Sequence, residues 1–136
     1  MEKLNEYFTS IYYYLHPEHQ QTITHQSVRI LQLIHKEQDV TVRKVAEAFQ
    51  ISHNTASEHI KKLEQHGWVM KERSTKDQRI VQLSLSEQGM KMVKENTELD
   101  NEKLEKVFSH LTNEQRNQVQ EAFQLLSEVA KNVYGR

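Results

Sequence analysis

Residues 41–85 read TVRKVAEAFQ ISHNTASEHI KKLEQHGWVM KERSTKDQRI VQLSL, and the spacing of the apolar residues changes partway along them. Up to Gln65 it is helical. Thr41 is placed to cap a short helix that turns Val42, Val45, Ala46 and Phe49 inward. After the tight turn Gln50-Ile51, Ser52 caps a second helix whose buried stripe is Ala56, Ile60 and Leu63. Gly67 suits the left-handed position that closes it. Two short helices about a tight turn match helix-turn-helix spacing. From Trp68 the period falls to two. Trp68–Arg73 and Arg79–Leu85 read as strands, with the polar turn Ser74-Thr75-Lys76-Asp77-Gln78 between them. The facing of the first strand stays open, because Trp68 and Met70 alternate with Val69.

Helices are expected on both sides of this motif. Leu4, Phe8, Ile11 and Leu15 line one face of a first helix that His16-Pro17 ends. Thr24 caps a second, carrying Val28, Leu31 and Ile34 with Ile30 adjacent and running to about Glu37. Beyond the hairpin, Ser86-Glu87-Gln88 opens one long helix through Met90, Val93, Leu104, Val107 and Phe108. Its polar stretch Lys94 to Glu98 should lie in solvent, or the helix bends there. Thr112 caps a last helix carrying Val119, Phe123, Leu126 and Val133, with Gln115 completing a capping box. One proline and three glycines suit a chain of long helices. The expected fold class is mainly α with a small β-hairpin wing, a winged helix-turn-helix flanked by terminal helices in a single domain, 1–136.

The formal net charge is only −1, but it is unevenly spread. Residues 41–79 hold eight Lys/Arg against five acids, a surplus of three positive charges, and the flanks are acidic. A basic middle between acidic ends fits contact with a polyanion. With about 100° per residue, the side of the Ser52–His66 helix opposite its buried stripe holds Asn54, Ser57, Glu58 and Lys61, with Lys62 and Gln65 at the margins. His53 and Thr55 lie in the first turn. Asn, Ser, Thr and Lys can bond base edges or phosphates, and a helix N-terminus favours phosphate. A solvated polar face is the plain alternative. The hairpin tips the balance, since Lys71, Arg73, Lys76 and Arg79 cluster on it. A projecting basic loop beside a groove-sized helix can follow the backbone and place an arginine in the minor groove. Asp77 is placed to hold Arg79.

The stretch Ile23 to Gly89 resembles the MarR family of bacterial winged-helix regulators. The residues that carry the likeness are Ile23-Thr24, Ile30-Leu31, Val45-Ala46, Ile51-Ser52, Thr55-Ala56-Ser57 and Leu63-Glu64. Its most specific part runs from Gly67-Trp68-Val69 through Asp77-Gln78-Arg79 to Leu85-Ser86 and Gly89. The resemblance implies that Arg79 is a minor-groove arginine partnered by Asp77, and that Asn54, Ser57 and Lys61 face the major groove. It also implies a homodimer built from the terminal helices. Four positions depart from the pattern: Ser86 stands for a threonine, Ser74-Thr75 for Asp-Pro, and Gln78 for a frequent arginine.

The resulting expectation is a sequence-specific regulator that binds double-stranded DNA at a pseudo-palindromic operator as a homodimer, with repression the expected sign. Its DNA-binding lobe is about 24–89 and its dimerisation helices about 3–15 and 90–134. DNA contacts are expected from Ser52, His53, Asn54, Thr55, Ser57, Lys61, Lys62, Arg73, Lys76, Asp77 and Arg79. Dimer contacts are expected from Leu4, Phe8, Ile11, Leu15, Phe123, Leu126 and Val133. These terminal helices carry more apolar surface than one small lobe covers, and mutual burial returns roughly 25 cal/mol per Å². The alternatives are a winged-helix adaptor that does not bind DNA and a metal-responsive regulator.

Other sites are weaker. His16, His19, His25, His35 and His110 invite a metal, but beyond His16-x-x-His19 no pair has a known ligand spacing, and surface histidines are the plainer reading. Tyr12, Tyr13, Tyr14, Trp68 and His35 could line a pocket for an unidentified small-molecule effector, although packing accounts for aromatics as well. No cofactor is expected. Glycine-rich phosphate loops, Gly-x-Ser-x-Gly and His-Glu-x-x-His are missing, so no enzymatic activity is expected. Without cysteine there is no disulfide or thiolate site. The longest unbroken apolar run, Ile11 to Leu15, is too short for a membrane, and a cytoplasmic location is expected.

Overall fold

The computed structural model describes residues 1–18 and 21–135. Among them the chain forms α1 (Glu2–Leu15), α2 (His25–Lys36), α3 (Val42–Phe49), α4 (His53–Gln65), β1 (Val69–Arg73), β2 (Val81–Leu85), α5 (Glu87–Thr97), α6 (Asn101–Phe108) and α7 (Asn113–Tyr134). No helix among the described residues is long and apolar enough to cross a membrane. The chain divides into two compact units, Met1–Leu99 and Asp100–Arg136.

The first unit holds the core. Ile30, Leu31 and Ile34 of α2, Val45 and Ala46 of α3, and Ala56, Ile60 and Leu63 of α4 are buried together with Val40, Trp68, Val69, Leu83, Met92 and Val93. Helix starts follow the expected caps: the hydroxyls of Thr24, Thr41 and Ser52 accept from the N–H groups of Ser27, Lys44 and Thr55. The end of α4 is a Schellman turn. Gly67 sits at φ +79°, its N–H donates to the Glu64 carbonyl, and the Trp68 N–H reaches back to Leu63. The end of α3 has the same two bonds, from Gln50 to Glu47 and from Ile51 to Ala46, but with Gln50 at φ +55° in the glycine position. A side chain in that region costs roughly 1–2 kcal/mol, so packing of Ile51 and Val45 holds this turn against local preference.

β1 and β2 pair antiparallel with Val69 opposite Leu85 and Arg73 opposite Val81. The facing left open above is settled by burial: Trp68 and Val69 point into the core, and Met70 is exposed. β2 is tied to the α2–α3 loop as well, through the Leu83 N–H to the Val40 carbonyl at 2.7 Å and Gln82 to the Asp39 carboxylate at 2.9 Å. At the foot of the hairpin, Ser86 donates its N–H to the Trp68 carbonyl and caps α5 by accepting from Gly89. Gly89 is irreplaceable there, since a Cβ would lie 2.0 Å from the Trp68 carbonyl oxygen.

The single long helix expected after Ser86 is two helices. α5 ends at Thr97, and α6 begins after Asp100, whose carboxylate accepts from Lys103. The break falls in the polar stretch. The Asn96 amide and Thr97 hydroxyl bond back to the carbonyls of Met92 and Val93, and a new cap three residues later restarts the helix. α5 belongs to the core of the first unit, through Met92 and Val93.

The second unit is α6, a turn and α7. Thr112 and Gln115 form the reciprocal capping box that opens α7, and the Arg116 guanidinium donates to the Phe108 carbonyl at 2.8 Å. Leu104, Phe108, Leu111 and Val119 are half-buried, and from Gln120 onward every described residue of α7 is exposed.

Candidate nucleic-acid interface

α4 and the wing are consecutive elements joined through Gly67, so the candidate DNA residues lie on neighbouring parts of one compact unit. Ala56, Ile60 and Leu63 anchor the inner face of α4 at full burial. That leaves Asn54, Glu58, Lys61, Lys62 and Gln65 exposed, with Ser57 half-buried. His53 and Thr55 are exposed in the first turn. Ser52 and Thr55 are occupied with one another: the Ser52 hydroxyl donates to the Thr55 hydroxyl at 2.8 Å while capping its N–H. They shape the helix start, and the side chains of the outward face without a partner among the described residues include Asn54, Glu58, Lys61, Lys62 and Gln65.

The wing is braced at several points. Asp77 accepts from the Arg79 N–H at 3.0 Å and takes its guanidinium in a two-pronged pair, with both contacts at 3.1 Å. The Arg79 guanidinium beside Asp77 holds that carboxyl below the ordinary value of 3.8. The Arg79 side chain remains 91% exposed, so the pair orients the arginine without covering it. Arg73 donates to the Gln78 carbonyl at 2.9 Å, clamping the loop across its base. Lys76 projects at the tip. Lys71 is drawn back to α4 by an ion pair with Glu64 at 3.3 Å.

Sequence reasoning missed Ser74. It is 4% exposed, and its hydroxyl accepts from the N–H groups of Lys76 and Asp77 at 3.2 and 3.4 Å. It closes the wing turn from inside. A serine two residues before the tip was the available signal, since Ser and Thr hydroxyls make such turns.

Of the dimer candidates, most are apolar residues exposed in their own unit. α1 and α7 bury no residue. Leu4, Phe8, Phe123, Leu126 and Val133 are half or more exposed, and Ile11 and Leu15 are half-buried. Tyr7, Leu125 and Val129 extend the same exposed surfaces.

The aromatic residues considered for an effector do not converge. Trp68 stacks on His66 at 4.4 Å and lines a cavity of about 780 Å³ with Glu18, Gln21, Gln88 and Lys91. Tyr12 and Tyr13 line a separate depression with Phe8 and His16. Of the histidines weighed as ligands, His19 lies outside the described residues. Among the described residues no three His, Asp or Glu side chains are grouped to hold a metal ion.

Residues 23–81 match the sequence profile of the MarR family. A search of curated proteins returns no match. Among solved structures, a MarR-like transcriptional regulator from Thermotoga maritima is similar at a TM-score of 0.66 and 18% identity, covering 96% of this chain and 93% of its own. Streptococcus pneumoniae FabT in complex with DNA is similar at 0.59 and 21%, covering 97% and 98%. S. aureus MepR bound to ethidium bromide is similar at 0.61 and 21%, covering 94% and 92%. At these identities the likeness is one of fold.

Proposed function

On the premise that residues 23–81 match the MarR family profile, we propose that this chain is a transcriptional regulator that binds double-stranded DNA as a homodimer. The observation that carries the reading is the pairing of two elements. The outward face of α4 presents Asn54, Lys61 and Lys62 without intramolecular partners among the described residues, and beside it the wing holds Arg79 extended on Asp77. α4 would lie in the major groove and Arg79 would enter the adjacent minor groove. FabT, a protein of the same fold, is in complex with DNA, which supports a DNA-binding reading.

The bare apolar faces of α1 and α7 support assembly through the terminal helices. A twofold dimer would set two copies of α4 about one helical turn apart, roughly 34–36 Å, on a pseudo-palindrome. Occupying a promoter in this way would repress it. The test is selection of duplexes from a random pool by the purified protein, followed by affinity across a salt series. An enriched pseudo-palindrome and a steep salt slope are expected, and Arg79→Ala should weaken binding while leaving the dimer intact. No binding at low salt would overturn the reading in favour of a protein adaptor.

A further inference from the structure

We infer that Glu58 is a specificity-determining residue that reads the exocyclic amino group of a cytosine in the major groove. The inference rests on the DNA-binding reading above.

Of the five acids in residues 41–79, three are tied to a base: Glu47 to Arg43, Glu64 to Lys71 and Asp77 to Arg79. Glu58 and Glu72 have no such partner among the described residues. Only Glu58 lies on α4. With about 100° per residue, Asn54, Glu58, Lys61 and Gln65 form the stripe most directly opposite the buried Ala56, Ile60 and Leu63. Glu58 is therefore at the centre of the surface that would enter the groove. Lys61 and Lys62 stand three and four residues on, within reach of an ion pair along the helix, yet neither makes one with it.

An unpaired carboxylate aimed at DNA is repelled by phosphates and by most of the groove edge. Guanine offers two acceptors there and thymine one. A carboxylate can only accept. Adenine has a donor at N6, but its N7 acceptor lies alongside and opposes a carboxylate. Cytosine presents its N4 amino group with no adjacent acceptor on the same base, and Glu accepting from it is an established pairing geometry. The guanine partner of that cytosine offers O6 and N7 to a donor, and Lys61 sits one turn further along the same stripe. Glu58 and Lys61 thus match the donor and acceptor edges of a C·G pair.

The experiment is pool selection with the wild-type protein, Glu58→Gln and Glu58→Ala, each checked for unchanged helix content. Glu58 is exposed and Gln has the same shape, so both variants should fold. The wild type should require cytosine at one position of each half-site, preferred by about tenfold or more. Glu58→Ala should lose the preference at that position alone and bind random-sequence DNA more tightly, because a negative charge has gone. Glu58→Gln should change the preferred base from cytosine to adenine, whose N6 and N7 fit the amide. A wild-type motif that both variants reproduce unchanged would overturn the role of Glu58 and leave the regulator reading standing. Failure of the wild type to enrich any motif would overturn both.

Discussion

Asp77 accepts from both the backbone N–H and the guanidinium of Arg79, and these contacts depress its pKa below 3.8. For a carboxyl lowered in the folded state, the favourable contribution is complete above the ordinary value. It disappears as pH falls through the lowered one. The wing arginine should therefore stay paired through the whole neutral range and down past pH 3.8. Following the Arg79 Nε–H resonance through an acid titration checks this; loss of the pairing at or above 3.8 would refute it. Such an exposed pair adds little stability. Its effect is orientation, since it restricts a long, exposed side chain to one direction, as the proposed DNA contact would need.

The wing turn is closed from inside by one buried hydroxyl. Ser74 supplies it as a neutral acceptor, so the turn closes without adding a negative charge to the wing. Ser74→Ala should leave the N–H groups of Lys76 and Asp77 without that acceptor, at a cost of about 1 kcal/mol. Faster hydrogen exchange at those two amides and weaker DNA binding are expected. Ser74→Asp should keep the exchange slow, and equal exchange in Ser74→Ala and the wild type would show that the turn holds without the hydroxyl. Elsewhere among the elements, α4 owes its position to the Schellman turn at Gly67 and to Ser86 and Gly89, which lock the hairpin foot against Trp68.

At the scale of the whole molecule, the core lies between residues 30 and 93, while α1 and α7 carry exposed Leu, Phe and Tyr side chains. Leu126 is 58% exposed, and a charge placed there touches no buried residue of its own unit. Leu126→Asp should shift the protein from dimer to monomer in sedimentation equilibrium and weaken operator binding, because one half-site is then held alone. The urea midpoint of the separated lobe signal, read from Trp68 fluorescence, should change little. An intact dimer in this variant would place the interface elsewhere.

The sequence by itself determined the local structure: caps at Thr24, Thr41, Ser52 and Thr112, the left-handed Gly67, and the change of period at Trp68. These signals are legible because each is a contact between residues a few positions apart. It also marked the outward face of α4 and the Asp77–Arg79 pair, which are set by helical rotation and by a two-residue spacing. Tertiary structure alone decided the rest. The facing of β1 came from packing of Trp68 and Val69, both buried in succession. Gln50 adopts a glycine-like conformation because its half-buried neighbours Phe49 and Ile51 pack against the core, and nothing in its own chemistry announces that. The division of the long C-terminal helix at Glu98 depended on Asn96 and Thr97 turning to their own backbone and on Asp100 starting a new helix. Which charges on α4 and the wing already have partners, as at Arg73, Lys71 and Glu64, and which have none among the described residues, as at Glu58, is settled only when separate elements are brought side by side.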